Sequence, residues 1–515
     1  MASESQPSVA TEYLLRGCLT TLAALEDVER TRTKEPTMRG IRTKEIAIYK
    51  AAKLVQGIAF VAAGNRGAEA VTAAAIELPR KHTNDCSQVV IRVARNGSGP
   101  HETWSKPLQE MLDMSMGFVR GEGGVKWREY GKEKERESQE EHRRIKMARF
   151  DIVHPFASED LLEVIILHNK DKILSIIEDH RLKVHQCWSQ LVNINPGIKA
   201  KCGNAMESII NDLLHLGSDE TAESEKTPFA IEGVILKCQY FVVKYHKIGR
   251  PEIDETWKKI MLLSALTRSE GDEVSADQKA DVSQEEETHC IVIRLLEKLA
   301  RYTSSAISIL SGLLHLSLNL KEFTVRVEPT PNWPEYQVMS ASKHIELLED
   351  GRDFFRDLGY DVFRRGKGEK LLQNWTNRIG KSGPSESSMD RVHAEMKLAM
   401  YFAINCRTII PACGVIGISE RTCFACDTVF RCMNQGFIQA AFPKAPVLQQ
   451  PGTHGRADEL WRFPVIPNEE KERLLAGDKR SRTHLAQLEE WSSQLSVAVM
   501  EEITAEAKRK LKALS

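Results

Sequence analysis

The sequence is short of net charge, of a secretory leader and of any run apolar enough to span a membrane, and each shortage removes a class of function. Lys and Arg total 71 against 72 Asp and Glu, a formal net charge of -1. The field of the whole molecule therefore draws in neither nucleic acid nor an anionic membrane, and any polyanion contact must come from a local basic face. The opening residues, Met1 to Pro7, lack the basic start and apolar centre of a secretory signal, so an intracellular protein, cytoplasmic or nuclear, is expected in a reducing compartment. Tyr302 to Leu320 holds no Asp, Glu, Lys or Arg. Its serines, His315 and Asn319 nevertheless make it too polar for a span of roughly 20 residues, so a buried helix and no membrane insertion are expected. A disulfide framework is missing too. Of the 11 cysteines, Cys18, Cys86, Cys187, Cys202, Cys238 and Cys290 stand alone and the rest cluster between Cys406 and Cys432, which suits buried thiols and one metal site.

What is present is ordinary globular material: 42% hydrophobic and 28% charged residues over 515 positions, enough for two or more domains with substantial cores. Residues 1–320 read mostly as helix. Apolar residues recur three and four apart through Leu161, Leu162, Ile165, Ile166, Ile173, Leu174 and Ile177, and again from Ile231 to Val243. A β-branched run from Gln88 to Ala94, stopped by Asn96-Gly97, is a strand candidate. Between Lys126 and Lys146 acids and bases alternate with almost no apolar residue; because the signs cancel locally, a solvated helix face is favoured over a nucleic-acid contact. Ser218 to Lys226 and Glu270 to Glu287 are acidic and Ser-rich, the composition of loops or linkers.

Beyond Phe323 the pattern changes. Strands are expected at Phe323 to Val327 and Gly414 to Ile418, and helices at His344 to Phe355, Asp390 to Asn405 and Cys423 to Asn434. Strand and helix in alternation point to an α/β layer. The chain closes on a helix whose apolar stripe is Leu488, Trp491, Leu495, Val499 and Ile503. The expected division is therefore a mostly helical region over 1–320, an α/β domain over 321–466 and a helical tail over 467–515.

Chemistry concentrates in two short motifs. His393-Ala394-Glu395 is weak taken alone, but Asp390 is a suitable N-cap, which would put His393 and Glu395 in the opening turns of a helix. Cys423-Phe424-Ala425-Cys426 is stronger, since two cysteines three apart at a helix start share a face and the helix N-terminus favours their thiolates. Thr422 is available there as a cap. One imidazole and two thiolates leave the fourth tetrahedral position of Zn²⁺ free for water, as a catalytic site requires, and the unligated Glu395 can move the proton. Two rivals stand beside this reading. A closed structural zinc would take Cys406 or Cys413 as a fourth ligand, and a thioredoxin-like redox pair would use Cys423 and Cys426 without metal.

Three blocks carry a family resemblance: Val392-His393-Ala394-Glu395; Val415 to Ser419 leading into Cys423-Phe424-Ala425-Cys426; and Thr453-His454-Gly455-Arg456 with Trp461 and Pro464. They resemble the cytidine-deaminase-like superfamily and, within it, the fungal OTT_1508-like deaminase family. The resemblance implies a three-layer α/β/α C-terminal domain with a mixed sheet of about five strands, zinc between two helix N-termini, ligands His393, Cys423 and Cys426, and Glu395 as proton shuttle. It implies hydrolytic deamination of a nucleobase in a nucleotide or nucleic acid, with His454 and Ser419 as candidate substrate contacts, and it allows self-association. A zinc-stapled interaction protein that no longer turns over is the alternative. The chain departs from many superfamily members in having Thr422, not Pro, before Cys423, and the second strand of the first hairpin is not evident in the sequence. Upstream, Tyr360 to Lys381 mixes six cations with Phe363 and Trp375. A single-stranded nucleic-acid groove would use such a mixture, although a solvated basic turn with both aromatics in the core is favoured.

Overall fold

The structure, a computed structural model, describes residues 9–29, 46–64, 70–79, 88–96, 102–121, 155–194, 196–218, 226–242, 296–316, 323–330, 354–356, 358, 368–381, 392–420, 422–442, 448–450, 457–458 and 461–513. The charged run 126–146, the acidic stretch 270–287, most of the helix expected at 344–355, Phe363 and residues 453–456 lie outside them. The chain separates into two compact units, Met1–Glu110 with Gly312–Ser515, and Met111–Ser311.

The elements in chain order are α1 (Val9–Glu29), α2 (Ile46–Ala62), β1 (Thr72–Pro79), β2 (Gln88–Arg95), α3 (Glu102–Arg120), α4 (Pro155–Ile194), α5 (Pro196–Leu216) and β3 (Thr324–Pro329). They continue with α6 (Gly368–Lys381), α7 (Ala394–Ile404), β4 (Ile409–Pro411), β5 (Gly417–Ile418), α8 (Phe424–Met433), α9 (Gly436–Ala441), α10 (Asn468–Ala476) and α11 (Lys479–Ala513). Further helices cover 228–242 and 296–316. In the second unit α4 and α5 pack together, and the spacing that marked α4 is a burial pattern: Leu161, Leu162, Ile165, Ile166, Ile173 and Ile177 are all buried. Among the described residues no helix is long and apolar enough to cross a membrane.

The first unit is built on a small mixed sheet centred on β1. β2 runs antiparallel to β1, from Thr72 opposite Arg95 to Glu77 opposite Val90. On the other side of β1, β4 pairs at Glu77 to Pro79 and β5 at Ala73 and Ala74, both antiparallel. β3 lies parallel to β2, from Gln88 opposite Thr324 to Val93 opposite Pro329. The sheet thus takes strands from both sides of residue 320. The region expected as mostly helical over 1–320, with one or two strands, supplies β1 and β2, the backbone partners of β3, β4 and β5.

β1 reads Thr-Ala-Ala-Ala-Ile-Glu-Leu-Pro, and its alanines let helices approach closely. Ala73 and Ala75 join the core cluster with residues of α7, α8 and α11, as do Ile416 and Ile418. Between those two isoleucines Gly417 points the other way, onto α2. A β-carbon there would come within 2.3 to 2.4 Å of the Val55 and Gln56 backbone. Arg92 ties the strands together, donating to Glu77 Oε2 at 2.9 and 2.8 Å, pairing with Glu328 at 2.7 Å and lying 4.5 Å from the Tyr401 ring centroid. At the far side of β3, the Gln109 side-chain amide donates to the Val325 carbonyl at 2.8 Å and accepts from the Val327 N–H at 2.7 Å.

α11 carries the stripe expected of it, with Leu488, Trp491, Leu495, Val499 and Ile503 buried in the core that also holds the metal-ligand candidates. α7 is buried on nearly every side. Trp375 is fully buried, stacked on Phe354 with centroids 6.1 Å apart and edge-on to Phe355 at 5.7 Å, so the aromatic of the basic stretch belongs to the core. Two local expectations need correction. Gly414 to Ile418 is not one strand: a 3-10 turn occupies Ala412–Gly414 and only Gly417–Ile418 is β5. The caps also differ, for His393 is the N-cap of α7 and Cys423 that of α8, in place of Asp390 and Thr422.

Candidate metal centre

His393 stands one residue before α7 with φ −66° and ψ 151° and makes no side-chain cap bond, which frees its ring to face away from its own helix. The open N–H of Ala394 is taken by Asn96 Oδ1 from the end of β2 at 2.6 Å, and Lys397 Nζ donates back to the carbonyls of Arg95 at 2.7 Å and Asn96 at 3.2 Å. Strand and helix are stapled here, so the ring of His393 is held by the sheet as well as by α7.

The two cysteines arrive from β5. The Ser419 N–H donates to the Thr72 carbonyl at 2.8 Å and Ser419 Oγ accepts from the Thr72 N–H at 3.0 Å, which pins the strand end. The Thr422 hydroxyl donates to the Gln450 side chain, whose Nε2 donates to Asp427 Oδ1 at 2.7 Å. At the start of α8, Cys423 Sγ accepts from the Cys426 N–H at 3.4 Å. The sulfur does the work of a cap, as an oxygen would in Ser or Asp.

His393 Nδ1 lies 3.5 Å from Cys423 Sγ and 3.4 Å from Cys426 Sγ, and the three donor atoms fall within 4.8 Å of one another. Tetrahedral zinc, with Zn–N of about 2.0–2.1 Å and Zn–S of about 2.3 Å, needs N···S edges of about 3.6 Å. The donors present therefore fit that ion in kind and in spacing. Cys406 is buried but does not join the group, and among the described residues no other three such side chains gather. His393 Nε2 faces Asp458 Oδ2 at 2.9 Å, and the Trp461 indole N–H donates to Cys426 Sγ at 3.0 Å. Glu395 is buried beside the set, its Oε1 3.9 Å from His393 Nδ1 and its Oε2 without a hydrogen-bond partner. A buried carboxylate oxygen left unpaired is costly unless something else in the working site uses it.

Electrostatics in the metal-free site favour an ion pair. Burial pulls the His393 pKa down, but the Cys423 sulfur and the Asp458 carboxylate outweigh it and hold the imidazole well above 6.5. Burial pushes the Cys423 thiol up, yet the hydrogen bond from Cys426 and the charge on His393 bring it to about 7. For Cys426, burial and the neighbouring Cys423 act together and raise the thiol well above 9.0.

Of the six residues expected in the site, the structure brings His393, Glu395, Cys423 and Cys426 together. Ser419 is buried, its Oγ accepting from the Thr72 N–H on β1, and His454 lies outside the described residues. Asp458 and Asn96 contribute contacts that the sequence did not reveal; Asn96 read as a turn signal, and Asp458 has no spacing that links it to His393.

Three soft donors with an acid beside them make up the kind of centre at which metal-assisted hydrolysis takes place. Residues 392–465 match the model of the OTT_1508-like deaminase family, and this segment of the C-terminal region contains all four of these residues. No curated protein and no solved structure matches the chain.

Proposed function

We propose that the protein is a zinc-dependent hydrolytic deaminase acting on a nucleobase, in a nucleotide or in a single-stranded nucleic acid. The observation that carries the reading is Glu395, a buried carboxylate with an unpaired oxygen next to a His/Cys/Cys donor set. Zinc held by His393, Cys423 and Cys426 would supply a Lewis acid that brings the pKa of a water towards neutrality. Glu395 Oε2 takes one proton from the attacking water to the ring nitrogen, where it stays, and then carries the second, from the new hydroxyl on the carbon, to the amine, which leaves as ammonia as the carbonyl forms. His393 keeps Nδ1 on the metal side because Nε2–H is engaged by Asp458. The reading carries with it a cytidine-deaminase-like three-layer domain, with α2 towards one face of the sheet and α7 and α8 towards the other, and a location in the cytoplasm or nucleus, where thiolates stay reduced.

The test is ammonia release from cytidine, adenosine, their nucleotides and single-stranded oligonucleotides by zinc-loaded protein, compared with Glu395→Gln. The variant is expected to keep its zinc and to lose at least about 10²- to 10⁴-fold in rate, the usual worth of a positioned acid–base group. Metal-loaded wild-type protein that releases no ammonia from any of these substrates would leave a zinc-stapled interaction protein in place of an enzyme.

A further inference from the structure

We propose that Asp458 and Trp461 are positioning residues of the metal centre, tuning its donor atoms from behind in opposite senses. The inference rests on the zinc reading above and adds residues from a third part of the chain, outside the two helix starts that carry the ligands. Asp458 Oδ2 is 2.9 Å from His393 Nε2. A carboxylate can only accept there, so Nε2 keeps its hydrogen, and the proton displaced by a metal comes off Nδ1, the nitrogen that faces both sulfurs. The Asp458 side chain is about a third exposed, so it reaches His393 from the solvent side of the site. Its charge feeds electron density into the imidazole and makes Nδ1 a better donor.

Trp461 does the reverse at Cys426. Its indole nitrogen is a donor only, the residue is buried, and its N–H is 3.0 Å from Cys426 Sγ. A hydrogen bond to a thiolate draws density away from the sulfur. Each sulfur then has one donor, Cys423 the Cys426 N–H and Cys426 the Trp461 indole. The pair holds down negative charge on two thiolates that would otherwise weaken the metal as an acid. Asp458 and Trp461 form a single turn, the Trp461 N–H donating to the Asp458 carbonyl at 3.2 Å, so one backbone element places both contacts.

The experiment compares wild-type protein with Asp458→Ala, Asp458→Asn and Trp461→Phe by zinc competition against a chromogenic chelator and by the absorption spectrum after Co²⁺ substitution. Asp458→Ala is expected to weaken zinc binding by about 10- to 100-fold, while Asp458→Asn, which retains an acceptor but no charge, falls between it and the wild type. Trp461→Phe keeps the ring volume and is expected to move the sulfur-to-cobalt charge-transfer band to longer wavelength, a signature that packing alone does not produce. Should Asp458→Ala fail to fold, the Asp458→Asn affinity and the Trp461→Phe spectrum still decide. Wild-type zinc affinity and an unshifted cobalt band in the folded variants would overturn the inference and leave the zinc reading intact; wild-type protein that takes up neither metal would overturn both.

Discussion

The three donor atoms must shed protons before they can hold a metal, and the structure gives the number. In the metal-free site His393 and Cys426 are both protonated at pH 7, since their pKa values stand well above 6.5 and 9.0. Cys423, at about 7, is half protonated there and almost fully protonated at pH 6. Metal uptake should therefore release at least about two protons at pH 7, one from Cys426 and one or more from the His393–Cys423 pair, and more at pH 6. Protons compete with the metal, so affinity rises with pH through this range. Each displaced proton changes it by about 1.4 kcal/mol per pH unit. Lowering the pH from 7 to 6 is then expected to weaken zinc binding by at least about 2.7 kcal/mol, roughly 100-fold or more. Calorimetric titration of chelator-stripped protein in buffers of different ionisation enthalpy measures the proton count directly. A release of one proton or fewer at pH 7, or an affinity flat between pH 6 and 7, would refute the ion-pair description of the empty site.

Gly417→Ala should lower thermal stability by at least about 1–3 kcal/mol, the usual range for overpacking, because the added methyl meets the backbone of α2 and no flexible side chain can give way; an unchanged melting temperature would show that α2 does not seat on β5 as described. A fragment of residues 321–515, which retains every metal-ligand candidate, is expected to show no cooperative unfolding by circular dichroism, since β3 loses its partner β2 and both β4 and β5 lose β1. A sharp melting transition in that fragment would mean that the sheet can close without its N-terminal strands.

The candidate site was legible because metal chemistry restricts residue type and helix starts restrict spacing: the donors His393, Cys423 and Cys426 and the acid Glu395 beside them could be chosen from the linear order, and so could the stripe of α11 and the strand at β2. β1 was not. Its three consecutive alanines are poor strand formers, and they are useful in the structure for their smallness, which pattern reading cannot see. The caps were misplaced for a related reason. Cys423 replaces the hydroxyl or carboxylate expected at a helix start, and at α7 the capping oxygen comes from Asn96, 298 residues away in sequence. Asp458 was invisible because its role is set by a distance to His393 that spans 65 residues.

Gln109 gives the outermost described strand a substitute neighbour. Its amide offers one donor and one acceptor to the flank of β3 that β2 leaves open, and so imitates the backbone of a strand that is not there. A second protein molecule seeking to extend the sheet sideways would find those two valences already spoken for, so lateral growth of the kind that seeds fibres meets a stopper carried on a helix.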